Sequence, residues 1–202
     1  LDISREKNYK DSFSKIINKF AKECFVPLSV GGGIRNIDDA KAYLDKGADR
    51  VVLNTGALIN NKLVSDLAKK YGSQCVIASI DVKKSKDNFE VYSHSGVKNT
   101  NKMVTDWALE LEKLGAGEIM LNSIDLDGSL LGYDLKLCKT VSSVVNIPVL
   151  ICGGAGNWSH FSDAIKKGGA DAVCTTNIYH FTETSIKSAK KFLNNQKILI
   201  RT

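Results

Sequence analysis

Two glycine-rich turns in this sequence each precede a short polar turn. Gly31-Gly32-Gly33 is followed by Asn54-Thr55, and Gly153-Gly154 by Thr176-Asn177. Glycine lets backbone N–H groups approach an anion closely, and the N-terminus of a following helix adds partial positive charge. A glycine turn beside a hydroxyl or amide therefore makes a cup for phosphate. One Gly-Gly pair is equally a plain tight turn; two cups in matching positions point to a ligand with a phosphate at each end. Carboxylates occupy similar places. Asp81 closes the run Ala78-Ser-Ile-Asp81, and Asp125 and Asp127 lie in Asn122-Ser-Ile-Asp125-Leu-Asp127-Gly128. An acid at a strand end can serve as general acid or base, or it can cap a helix or hold a loop. Asp81 is the candidate for proton transfer, and Asp127 for ligand contact. Lys83 is either a ligand clamp or a surface charge.

These residues need elements to hold them. The hydrophobic period alternates between short β-branched runs and longer amphipathic stretches. Strands are expected at Val26–Val30, Arg50–Asn54, Cys75–Asp81, Glu118–Asn122, Pro148–Ile151 and Ala172–Thr175. Helices are expected at Phe13–Cys24, Ile37–Lys46, Asn60–Tyr71, Lys102–Leu114, Leu135–Val145, Ser159–Lys167 and Ser185–Asn194. Phe89–His94 alternates like a small extra hairpin, and Ser95 to Thr100 reads as a mobile loop after it. Strictly alternating βα units imply an α/β fold with a parallel sheet covered by helices. Near-continuous apolar strands agree with burial on both faces.

The sequence also repeats itself. Gly31-Gly-Gly-Ile-Arg-Asn36, a helix, Gly47-Ala-Asp49 and Arg50–Thr55 match Cys152-Gly-Gly-Ala-Gly-Asn157, a helix, Gly169-Ala-Asp171 and Ala172–Asn177. The offset is about 120 residues, half of the ~250 of a (β/α)8 barrel. The expected architecture is a (β/α)8 barrel of two similar halves, one domain spanning residues 1–202. Six strands and a stub at Leu1-Asp2-Ile3 are countable, where a closed barrel has eight. The expectation is therefore a barrel incomplete at its front by roughly one and a half βα units. In such a barrel the cups and Asp81 lie at the carboxyl ends of the strands. At the other end, Gly47-Ala-Asp-Arg50, Gly115-Ala-Gly-Glu118 and Gly169-Ala-Asp-Ala172 put Arg50, Glu118 and Ala172 in one register at the start of alternate strands. Arg50 and Glu118 are expected to share an interior layer, as a stabilising ion pair or as a charged gate to a channel.

Composition narrows the function classes. The chain is 43% apolar and 25% charged, with a formal charge of +6, an ordinary globular balance. The scattered positive excess suits an anionic small substrate or an acidic partner. No basic helix or aromatic motif argues for nucleic acid, and no apolar run reaches the ~18–20 residues of a membrane span. Five cysteines without a C-x-x-C argue against a disulfide framework or structural zinc and for a reduced, cytoplasmic protein. The three histidines lack metal-ligand spacing. No metal or cofactor is expected.

The motifs together resemble a family. Gly31-Gly-Gly-Ile-Arg, Gly-Ala-Asp-Arg50-Val-Val-Leu-Asn54-Thr55, Ser-Ile-Asp81-Val-Lys, Lys98-Asn-Thr100, Gly-Ala-Gly-Glu118-Ile, Ser-Ile-Asp125-Leu-Asp127-Gly, Gly132-Tyr-Asp134, Gly153-Gly-Ala-Gly-Asn157 and His180-Phe181 look like the cyclase subunit of imidazole glycerol phosphate synthase. The resemblance implies an enzyme, a carbon–nitrogen lyase of histidine biosynthesis. A glutaminase subunit would dock at the bottom of the barrel, and ammonia would pass the ring containing Arg50 and Glu118. At the top it would react with a bis-phosphorylated ribulosyl formimino carboxamide ribotide. The products would be imidazole glycerol phosphate and aminoimidazole carboxamide ribotide. Of the family's two acid–base carboxylates, one matches Asp81; the other belongs to a first strand that this sequence lacks. Asp2 matches a family aspartate at the end of the second strand. The resemblance assigns substrate and phosphate contacts to Gly32, Gly33, Asn54, Thr55, Asn122, Asp127, Gly128, Cys152, Gly153, Gly154, Thr176 and Asn177. Two of these depart from the family pattern: Asn122 stands where threonine is expected and Cys152 where serine is. With Asn8-Tyr9 and Glu23-Cys24-Phe25, they resemble a paralogous branch that supplies ammonia for sugar amidation in surface polysaccharide synthesis. A non-catalytic phosphate-binding barrel is the third reading.

Overall fold

In the computed structural model, which describes residues 1–2, 9–86, 88–181 and 185–200, strands and helices alternate along the chain. In order they are α1 (Tyr9–Glu23), β1 (Ser29–Gly31), α2 (Ile37–Leu44), β2 (Arg50–Leu53), α3 (Thr55–Ile59), α4 (Lys62–Tyr71), β3 (Val76–Ser85), β4 (Asn88–Ser93), β5 (Lys98–Met103), α5 (Val104–Lys113), β6 (Glu118–Ser123), α6 (Leu135–Ser142), β7 (Val149–Cys152), α7 (Trp158–Lys166), β8 (Ala172–Val173), α8 (Asn177–Phe181) and α9 (Ile186–Asn195). Six strands pair in parallel in the order β1-β2-β3-β6-β7-β8, and β4 and β5 form an antiparallel extension from β3. This is the sheet of a (β/α)8 barrel, of which the described residues carry six parallel strands. Beside β1, the N–H of Asp2 donates to the carbonyl of Gly31 at 2.8 Å, so the stub joins the ladder; Ile3 and Asn8 lie outside the described residues.

The core forms because the parallel strands are rich in buried apolar residues. Val51, Val76, Ala78, Ile119, Leu121 and Ile151 are all fully buried, and the helices close over them with Leu63, Val64, Leu67, Trp107, Leu111, Leu137 and Phe161. Burial at roughly 1.5–3 kcal/mol per large apolar side chain holds the sheet and its helices together.

The repeat is an architectural device. Asn36 caps α2, its side chain accepting from the N–H of Asp39 at 2.9 Å. Asn157 caps α7 in the same way, accepting from the N–H groups of Ser159 and His160. In each Gly-Ala-Asp, the aspartate receives the backbone N–H at the start of the neighbouring strand. Asp49 takes that of Leu28 at 2.7 Å, and Asp171 that of Val149 at 2.9 Å.

Several boundaries differ from the sequence expectation. β1 begins at Ser29 rather than Val26, because its ladder starts where Arg50 becomes available and Pro27 has no N–H to give; Phe25 and Val26 stay exposed. The stretch Ser95–Thr100 is not a mobile loop throughout. Lys98–Met103 is strand β5, paired with β4, and it takes the place of the first residues expected in α5. Its sequence is polar and shows no alternation; its extended shape comes from the ladder. The hydroxyl of Thr100 donates to the carbonyl of Val91 at 2.7 Å, and the amide of Asn99 donates to Glu90 at 2.6 Å. Helices α3 and α8 escape the sequence reading because five residues are too few to show a helical period.

Candidate active site

The carboxyl ends of the parallel strands bring the predicted residues together. Asp81 lies near the end of the stretch of β3 that pairs in parallel with β6, directly beside Asn122 in the ladder. The amide nitrogen of Asn122 donates to the Asp81 carboxylate at 3.2 Å, and the side chain of Asn54, just past β2, lies close enough to favour the charged form of that carboxyl. Burial pushes the Asp81 carboxyl above its ordinary range; the amides of Asn122 and Asn54 oppose that shift and the nearby Asp127 carboxylate adds to it. The group is thus a half-buried acid, held between two amides, whose proton affinity is raised toward the range useful for acid–base work. The side-chain oxygens of Asn54 and Asn122 are buried and have no hydrogen-bond partner within the protein. Buried acceptors are normally satisfied, so these two suit N–H or O–H groups of a ligand.

The first cup is built at the end of β1 and the start of α3. Gly32 and Gly33 have φ of 123° and 62°, in the region that favours glycine. Thr55 opens α3, and its oxygen accepts the backbone N–H of His94 at 3.0 Å, leaving its own proton to donate. That bond brings the tip of the β4–β5 hairpin down onto the cup, and the tip also packs on Ile124 after β6. The second cup lies at the end of β7 and the start of α8. Gly153 and Gly154 have φ of 87° and 101°. Gly128, with φ of 77°, approaches the amide of Asn177, so the loop after β6 and the start of α8 meet. Thr176 is exposed, as is Asp127.

The glycines of both cups have a second reason to be glycine. A Cβ on Gly32 would run into the backbone carbonyl of Asp2, and one on Gly154 into the carbonyl of Gly132. The carbonyl of Gly154 also accepts the N–H of Gly132 at 2.7 Å. Backbone packing alone therefore forbids a side chain at Gly154, whatever the turn binds. Other polar residues are structural. Asp125 receives the backbone N–H of Lys84 at 2.8 Å, and Lys83 lies over the ring of Tyr92, 4.8 Å from its centre.

At the opposite end, Arg50 and Glu118 meet across β3 in a close ion pair. Both side chains are partly buried, 32% and 18% exposed. Ala172, in the same register on β8, is exposed. Among the described residues, no group of three or more His, Cys, Asp or Glu could hold a metal ion, and no helix is long and apolar enough to cross a membrane.

The parallel barrel sheet, the paired cups and the carboxylate between them agree with one further finding: the family model for histidine biosynthesis proteins matches residues 1–185. The chain belongs to that family. The family holds lyases and isomerases of histidine biosynthesis on this barrel. Sequence reasoning misses two parts of it. The hairpin tip that bonds Thr55 leaves no motif. Cys174, a strand hydrophobe by its surroundings in sequence, follows β8 immediately and lies beside Cys152; extending the repeat by one strand position would reveal that.

Proposed function

We propose that this protein is the ammonia-using cyclase of its family. It would convert a bis-phosphorylated ribulosyl formimino carboxamide ribotide to imidazole glycerol phosphate and aminoimidazole carboxamide ribotide. The observation that carries the reading is the position of Asp81. Its carboxyl lies between Asn54 and Asn122, midway along the row of strand ends whose two extremes are the glycine cups. Phosphates in the two cups would stretch the substrate over Asp81. Asp81 would then give and take protons as ammonia adds and the ring closes, while the free oxygens of Asn54 and Asn122 accept substrate N–H or O–H groups. Thr55 would donate to one phosphate and Asn177 to the other. Arg50 and Glu118 would form the entrance for ammonia from a glutaminase bound at the bottom of the sheet.

A second reading is favoured by Asn122 and Cys152. These departures alter the Asp81 surroundings, and they suit the paralogous role of providing ammonia for sugar amidation. Calorimetry separates cup function from a plain barrel. A bis-phosphorylated substrate analogue is expected to bind about 10²-fold more tightly than its mono-phosphate, because the second phosphate adds an intramolecular contact. Equal affinities would remove the two-cup assignment.

A further inference from the structure

β7 and β8 run parallel with Leu150 beside Ala172 and Ile151 beside Val173. The N–H of Cys174 donates to the carbonyl of Ile151 at 2.8 Å, which carries the same ladder one step further. Cys152 and Cys174 are thus neighbours in register. In-register residues of adjacent strands project to the same face, with strands about 4.8 Å apart, inside the ~4.4–6.8 Å Cα separation of a disulfide. Both cysteines are free and partly accessible. The others are placed differently: Cys75 precedes β3 at the far end of the sheet, Cys138 is fully buried in α6, and Cys24 follows α1 with its thiol on the carbonyl of Val26.

We propose that Cys152 and Cys174 form an oxidisable dithiol that a peroxide converts to a disulfide joining the ends of β7 and β8. Cys152, at the open strand end beside Gly153, attacks the peroxide. The O–O bond breaks, a sulfenic acid forms on Cys152, and one water leaves. The Cys174 sulfur then attacks the sulfenic sulfur, the S–S bond forms, and the sulfenic oxygen leaves as a second water with the Cys174 proton. Two thiols lose two electrons in all, and hydrogen peroxide takes them. Formation is slow, because the nucleophile is the thiolate. Burial raises both thiols, Cys174 to about 12, and Asp127 raises Cys152 further. The same environment leaves the reduced pair without thiolate stabilisation, so the disulfide, once made, persists. It would tie the ends of β7 and β8 together covalently beside Gly153. The inference rests on the strand register and stands apart from the reaction proposed above.

The test is peptide mapping of the full chain after hydrogen peroxide and thiol blocking. The expected result is a mass loss of two hydrogens, with the tryptic peptides bearing Cys152 and Cys174 linked and released by dithiothreitol. Cys174→Ser should leave Cys152 as a trappable sulfenic acid, and Cys138→Ser should leave the link intact. The proposal is overturned if Cys152 in the wild type oxidises without linking to Cys174, if it links instead to Cys24 of a second chain, or if both thiols are recovered unchanged.

Discussion

The two repeats use the same frame and differ where the ligand would sit. Asn36 and Asn157 cap corresponding helices, and Asp49 and Asp171 lock corresponding strand starts. At the strand ends the matching positions diverge: Gly31 against Cys152, and Asn54-Thr55 against Thr176-Asn177. At the strand starts, charged Arg50 is matched by Ala172. What the halves share builds the barrel, and what they do not share is where chemistry can reside. The glycine turns are the exception, since each half has one, and the proposed ligand with a phosphate at each end rests on that symmetry.

The largest way to break this comparison is to fill a cup glycine. Gly154→Val forces a side chain into the Gly132 carbonyl and should cost more than about 4 kcal/mol, leaving little soluble protein. Gly33→Ala, at an exposed turn, should cost only about 1–2 kcal/mol for its left-handed conformation. Soluble yield checks the first and a urea midpoint the second; a soluble Gly154→Val protein with a midpoint like that of Gly33→Ala would mean that Gly154 does not pack against the Gly132 carbonyl. Next comes the charge that only the first half carries. Arg50→Ala leaves the partly buried Glu118 without its partner and should cost about 1–2 kcal/mol, below the buried-pair range because both groups see water. If the pair is a gate, glutamine-driven turnover should fall more than turnover fed with ammonium. An equal fall in both would mark Arg50 as structural.

Smaller effects sharpen the shared frame. Asn36→Ala and Asn157→Ala should each cost about 1 kcal/mol, with Asn157 the costlier because it accepts from two N–H groups. Thermal melts of the two variants compare them directly. The smallest effect has the opposite sign. The folded carboxyl of Asp81 holds its proton more tightly than the unfolded one. Between the two pKa values the native state binds more protons, so stability falls as pH rises through that window. Asp81→Asn should therefore melt slightly higher than wild type at neutral pH. The gain should vanish below about pH 4, where the unfolded aspartate is protonated too. A lower melting temperature at pH 7 would make Asp81 a stabilising residue.

Much of this is legible in the sequence because barrels are periodic. Buried parallel strands read as short apolar runs, the caps and Gly-Ala-Asp motifs recur, and strand ends in a barrel are active-site positions whatever their neighbours. The glycines are legible as turns but not as packing requirements, since the carbonyls they clear come from Asp2 and Gly132, distant in sequence. Strand β5 is hidden because Lys98-Asn-Thr-Asn-Lys-Met103 owes its shape to β4 rather than to its own pattern. The amide clamp on Asp81 depends on Asn54 and Asn122 arriving from two different strands, and only the ladder reveals that they meet.

The most direct measurement is ammonium-driven turnover of the proposed bis-phosphorylated substrate, compared between the wild-type protein and the Asp81→Asn variant. The account predicts a loss of about 10²–10⁴-fold in kcat, with affinity for the bis-phosphate analogue and the fold both retained. Near-normal kcat at saturating ammonium would contradict it and remove Asp81 from the chemistry.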